Sequence, residues 1–172
     1  TMIAGIYGMN FDTRAGPLSI VTRPAMAEND EVPAYRSIQE MIEGGLAWLE
    51  RATMISPHYA QGIYARAWTE TLSGSGLEGR EHVDLAMRLS PLDPLYYAML
   101  GTRAFTHMVQ GEDAAATEWS ERAARAPGAH VLIAMIAAAS HTLSGDAARA
   151  AAWAANVRER SPSLGRADFF RA

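Results

Sequence analysis

From residue 35 onward, apolar residues recur every three or four positions, the spacing that lines one face of a helix. Ile38, Ile42, Leu46, Leu49 and Ala52 trace the first such stripe, which ends at Ser56-Pro57. Further helices are predicted over 59–72 and 77–89, stopped by the run Ser73 to Gly76 and by Ser90-Pro91. A fourth starts after Pro94, well placed as a first-turn proline, and carries Tyr97, Leu100, Ala104, Phe105 and Met108 before ending near Gly111. The last three cover 113–125, 130–143 and 146–160, closing at Ala126-Pro127-Gly128, Ser144-Gly145 and Ser161-Pro162. The tail can begin an eighth. Residues 1–34 differ: Gly16, Pro17, Pro24 and Pro33 break any helical pattern, leaving an irregular segment with a short strand at 18–22.

The helix-closing prolines are periodic. Pro57, Pro91, Pro127 and Pro162 are separated by 34, 36 and 35 residues, with two helices and a tight Gly turn in each interval. Small residues recur where two helices must approach: Ala67, Gly101 and Ala138 in the first helices; Gly45, Gly79, Ala116 and Ala150 in the second. Seven residues after the latter stand Ala52, Ala86, Ala123 and Val157. Trp48, Trp119 and Trp153 occupy one repeated position, taken by His82 in the second unit, which suggests an anchor between repeats with the indole N–H near the surface. The chain divides into residues 1–34 and a helical repeat domain over 35–172, with units at 35–59, 60–93, 94–129 and 130–164.

A period near 34 with a helix-turn-helix in each unit resembles the tetratricopeptide repeat superfamily. Tyr97-x-x-Leu100-Gly101 matches the aromatic-x-x-Leu-Gly core of that family's first helix, and Gly145-Asp146-x-x-x-Ala150 its turn and second helix. LAMRLSPLDP (85–94) and LSGDAARA (143–150) are similar to repeats of bacterial adenylate-cyclase-like and transcription-regulatory proteins. Departures include Arg66 where the family has Leu, about two extra residues in the third unit near Thr106 to Gln110, and no first helix in the first unit. The resemblance implies an all-α array of antiparallel helical hairpins in a short right-handed superhelix, its concave side lined by first helices. Matched position by position, that lining is Tyr64, Trp68, Ala98, Thr102, Phe105, Met135, Ala139 and Thr142. The family's carboxylate clamp needs Lys, Arg and Asn at matching places. This lining is apolar, which favours an apolar peptide or helix as partner.

A second resemblance covers the first eleven residues. TMIAGIYGMNF resembles the end of the first membrane helix of the CorA magnesium channel family, with Gly8-Met9-Asn10 matching its pore-entrance signature. In that family the Asn recognises hydrated magnesium. The rest of that helix, the second membrane helix and the acidic loop have no counterpart, so the channel function does not carry over.

Composition narrows the chemistry. Hydrophobic residues make up 49% and the net charge is −4, which gives no footprint for nucleic acid. The absence of Cys excludes disulfides and thiolate metal sites. No apolar run reaches the roughly 18 residues of a membrane span. The five histidines, His58, His82, His107, His130 and His141, never pair at helical spacing, so no metal site is expected. Glu112, Asp113, Glu118 and Glu121 cluster at and after a helix start, where the dipole favours negative charge. Ser73 to Gly76 lacks the lysine and preceding strand of a phosphate loop. The arginines Arg80, Arg88, Arg103, Arg122, Arg125, Arg149, Arg158 and Arg160 read as a solvated face. The expectation is a module without catalysis or cofactor: a cytoplasmic interaction region of a larger bacterial signalling or regulatory protein. Two rivals stand beside it, a small-molecule sensor region attached to an upstream enzyme such as a nucleotide cyclase, and a structural element that forms a homodimer.

Overall fold

The computed structural model describes residues 34–164, with side chains from Glu40 onward. The expectations placed on residues 1–33 (the strand at 18–22 and the GMN segment) and on the tail beyond 164 lie outside the described residues. Seven helices follow one another, and no strand occurs among the described residues: α1 (Ala34–Ile55), α2 (Ala60–Leu72), α3 (Gly76–Leu89), α4 (Tyr96–Val109), α5 (Asp113–Ala124), α6 (Val131–Leu143) and α7 (Ala147–Arg160). None is long and apolar enough to cross a membrane.

Two kinds of turn, each repeated, set the architecture. The first helices α2, α4 and α6 end on Gly74, Gly111 and Gly145, with φ of 92°, 70° and 80°. Only glycine enters that left-handed region without strain. In each turn the glycine N–H donates to the carbonyl three residues back (Thr71, Met108, Thr142), at 3.1, 3.1 and 3.2 Å. The next N–H (Ser75, Glu112, Asp146) donates to the carbonyl of Glu70, His107 or His141 at 2.9 Å. These are three complete Schellman motifs, which satisfy the orphan carbonyls of a helix end. The second kind of turn joins one hairpin to the next. Tyr59, Asp93, Ala129 and Leu164 donate to Ser56, Ser90, Ala126 and Ser161 at 3.0–3.2 Å. Pro57, Pro91, Pro127 and Pro162 stand second in these turns, where a fixed φ favours the geometry.

Consecutive helices therefore pack as hairpins, α2 with α3, α4 with α5 and α6 with α7. The second helix of each also packs on the first helix of the next (α3 on α4, α5 on α6). The first helices form a layer of their own, α2 against α4 and α4 against α6. The core lies between this layer and the second helices, through Ile63, Ala67, Val83, Ala86, Met99, Leu100, Ala104 and Ile133. This is an all-α array of helical hairpins.

The small residues sit where backbones approach, with adjustments. Gly101 is buried, and Ala67, Ala86, Ala116 and Ala123 are at most 1% exposed. Ala138 and Ala150 are only half-buried, and Ala137 takes the enclosed place in α6. In α1, Ile42, Leu46 and Leu49 are half-buried and Ala52 is exposed, since among the described helices α1 packs closely only on α2. The extra residues of the third unit lie elsewhere than expected. They precede α4, where Tyr96 donates to Asp93 at 2.9 Å and the Asp93 carboxylate accepts from the Leu95 N–H at 2.9 Å. Pro94 belongs to this additional turn and stands before the helix rather than in its first turn.

Candidate interaction face

The turn glycines supply a register for comparing units. Trp68, Phe105 and Ala139 each stand six residues before theirs; Tyr64, Gly101 and Met135 stand ten before. Trp68 and Phe105 are thus equivalent residues of successive first helices. Their rings meet edge to face, with centroids 5.4 Å apart and an interplanar angle of 80°. That geometry matches the quadrupole preference of aromatic pairs. Both rings are half-buried, and the Trp68 Nε1 is enclosed without a hydrogen-bond partner.

The eight residues expected to line an inner face divide into three groups. Tyr64, Ala98 and Thr102 are enclosed by the fold, at 5%, 7% and 1% exposure, so the chain itself covers them. The Tyr64 hydroxyl is hydrogen-bonded to Thr102, and burial pushes the phenol up to about 12. Thr102 in turn donates to the Ala98 carbonyl at 3.1 Å. Trp68, Phe105 and Met135 are half-buried, and Ala139 and Thr142 are exposed. The accessible part is therefore a ledge of two partly covered aromatic rings on α2 and α4, together with Met135, Ala139 and Thr142 on α6.

A polar seam that the sequence reading missed runs along the hairpin junctions. Glu70, His107 and His141 all occupy the position four residues before the turn glycine, and all three are buried. Glu70 bonds His82 Nδ1 at 2.6 Å and Arg66 at 2.8 Å, while Arg66 also reaches Glu50 at 3.3 Å. His107 pairs with Glu112, which also binds Arg80 from α3. His141 donates from Nε2 to Glu121 at 2.8 Å, and Arg125 reaches the same carboxylate at 2.8 Å. Arg103 bonds Asp84 at 2.8 Å and lies over Trp119, 4.9 Å from its centroid. Arg80 and Arg103 therefore belong to contacts between helices rather than to the solvated face expected of them, and Arg66 likewise bridges helices. The signal was present in the sequence as one polar position repeated at a fixed distance from each glycine. It was hidden because the residue type changes from Glu to His.

These contacts set the protonation states. Arg80, and then His107, hold the Glu112 carboxyl below its ordinary value. Burial raises that of Glu121, but the His141 hydrogen bond, Arg125 and Trp153 outweigh it and leave the carboxyl lowered. Burial lowers His107, the Glu112 hydrogen bond opposes this, and Arg103 and Arg80 add to the lowering. The repeated tryptophan acts here as a platform: Trp119 stacks on His107 and lies under Arg103 and Arg122, and Trp153 lies under Arg125. Trp48, the third member, is 74% exposed.

A shallow cleft of about 510 Å³ opens between α5 and α7, lined by Glu121, Arg125, Arg149, Ala152, Trp153 and Asn156. No group of three His, Asp or Glu side chains converges to hold a metal among the described residues. In comparison with known proteins, no family model matches the chain and no curated protein is significantly similar to it.

Proposed function

We propose that the chain is a protein-interaction module of the tetratricopeptide kind, which binds a short apolar peptide or helix along its layer of first helices. The observation that carries this reading is the Trp68–Phe105 pair. Two large rings at equivalent positions of adjacent units meet edge to face and stay only half-buried, and the next first helix leaves Ala139 and Thr142 exposed and Met135 half-buried. Contiguous apolar surface of this kind usually marks a contact, and aromatic anchors dominate binding energy where they occur. The repeated Schellman and proline turns support the family resemblance. The wider setting in this reading is cytoplasmic, within a larger bacterial signalling or regulatory protein, with the module serving as scaffold rather than catalyst.

The test is selection from a displayed library of short peptides, followed by affinity measurement on the Trp68→Ala/Phe105→Ala variant. Selected apolar sequences should lose at least roughly tenfold in affinity, since a truncated hot spot costs more than about 1.4 kcal/mol. Selection of nothing specific, or of peptides that ignore both rings, goes against the reading.

One observation favours a second reading, self-association through α1. Trp48, Met54 and Ile55 are 74–81% exposed there, with Tyr59 just beyond the helix at 58%. Sedimentation equilibrium over a hundredfold range of concentration distinguishes the two. A mass that stays monomeric removes the dimer.

A further inference from the structure

His107 is 6% exposed and sits where the α2–α3 hairpin meets the α4–α5 hairpin. Every direction from its ring is occupied. From its own helix, Arg103 Nη1 lies 2.6 Å from Nε2. At the start of α5, Glu112 bonds Nδ1. From α3, Arg80 lies 3.1 Å from Nδ1 and bonds the same Glu112 carboxylate, and Asp84 holds Arg103 at 2.8 Å. From α5, the Trp119 ring stacks on the imidazole at a centroid distance of 6.5 Å, with Arg122 against that same ring. From α6, the uncharged Ser140 bonds Met108, the next residue of α4, and no charged group of that helix is bonded to the imidazole among the described contacts.

This arrangement selects one protonation state. A guanidinium only donates, and one lies against each ring nitrogen, Arg103 at Nε2 and Arg80 at Nδ1; only Nδ1 also meets a carboxylate, so Nε2 is the bare, accepting nitrogen. Nδ1 then carries the hydrogen and donates to Glu112. In this state the cluster is balanced, with Arg80 and Arg103 against Glu112 and Asp84. A second proton would have to go on Nε2, where it would face the Arg103 N–H at 2.6 Å. Two donors cannot share that space, and the added charge has no free carboxylate within the cluster. Arg103 must therefore move, and Arg103 is the residue that ties α4 to Asp84 of α3 and covers Trp119.

We propose that His107 is an acid-sensitive latch, which joins the α2–α3 hairpin to the α4–α5 hairpin while neutral and loosens that junction when protonated. The lowering of His107 by burial and by the two arginines agrees with this direction. His82 and His141 are unlike it. Each meets a carboxylate, Glu70 or Glu121, and neither has a guanidinium against a ring nitrogen among the hydrogen bonds described. The latch does not depend on what the aromatic ledge binds.

The test is a histidine NMR titration of the full chain, together with amide hydrogen exchange, on wild type and His107→Gln. Glutamine can both accept from Arg103 and donate to Glu112, but it takes up no proton. The His107 imidazole should titrate below its ordinary value of 6.5. Below that point, wild-type exchange at the α3–α4 junction should rise relative to the Gln variant at the same pH, by up to about tenfold per pH unit for one linked proton. If the variant does not fold, the α6–α7 hairpin of the wild type, which no histidine–carboxylate pair bridges among the described residues, serves as the internal reference, and the α3–α4 amides should gain on it as pH falls. A His107 that titrates at or above 6.5, or a junction whose relative exchange is unchanged from pH 7 to 5, overturns the proposal.

Discussion

Changing Gly79 to alanine tests the helix packing most sharply, because two effects of known sign compete. In a helix interior, Ala is favoured over Gly by about 1 kcal/mol, so the substitution stabilises where there is room. At Gly79 there is none. An added Cβ would stand 2.3 Å from Thr71 Oγ1, 2.9 Å from the Ala67 carbonyl oxygen and 3.2 Å from the Thr71 nitrogen. Two of these atoms are backbone, and the third is a short side chain held by its 2.7 Å bond to Ala67. None can yield alone, so α3 has to back away from α2 and loosen Val83 and Ala86, both fully buried. Overpacking of this kind costs about 1–3 kcal/mol, and the strained Thr71 bond about 1 more. Set against the propensity gain, the net loss is about 1–3 kcal/mol. At about 2–4 °C per kcal/mol for a chain of this size, Tm should fall by roughly 3–10 °C. Gly45 of α1 is the control: a Cβ there meets nothing within 4 Å. Gly45→Ala should raise Tm by about 2–4 °C. Thermal melts followed by circular dichroism read both. A Gly79→Ala protein as stable as wild type would refute the close approach of α2 and α3.

Gly101→Leu should cost about 1–3 kcal/mol in urea unfolding, because a side chain there grows toward Ile133 and Ile136, and Gly101→Ala less, since the first atoms met are flexible methyl ends. Tyr64→Phe should lose about 1 kcal/mol by breaking the enclosed bond to Thr102, with little change in the far-ultraviolet spectrum. Stability should fall with acid in two stages. The folded state binds the His107 proton more weakly than the unfolded chain does, so that contribution is complete above 6.5 and declines below it. Glu112 and Glu121, held below 4.5, contribute fully above that value and are lost as pH falls further. Urea midpoints measured from pH 7.5 to 3 check both stages, and a profile flat from 7 to 5 contradicts the first.

The hairpin array was readable because its punctuation is chemical. Glycine at φ near +80° and proline second in a turn leave few alternatives, so Gly74, Gly111, Gly145 and the four prolines mark the helix ends within two or three residues. Register within the helices was less readable. Measuring from the prolines placed the third unit's extra residues late in α4, whereas the Asp93–Tyr96 turn takes them up before the helix starts. Alanines at adjacent positions look alike in sequence, and only packing distinguishes the enclosed Ala137 from the half-buried Ala138. The predicted face shows the same limit. A family pattern assigns Tyr64, Ala98 and Thr102 to one surface, but a phenol as large as Tyr64 reaches the neighbouring unit's Thr102 and closes the space between them. The polar seam depends on contacts such as Arg80 with Glu112, 32 residues apart, which local periodicity cannot register.

The central claim is that the ledge on the first helices is a binding surface. Chemical-shift mapping of the full chain with a library-selected apolar peptide tests it directly. The largest shifts should fall on the Trp68 indole and on residues around Phe105, Met135 and Ala139. Shifts confined to α1, or to the cleft between α5 and α7, would contradict it.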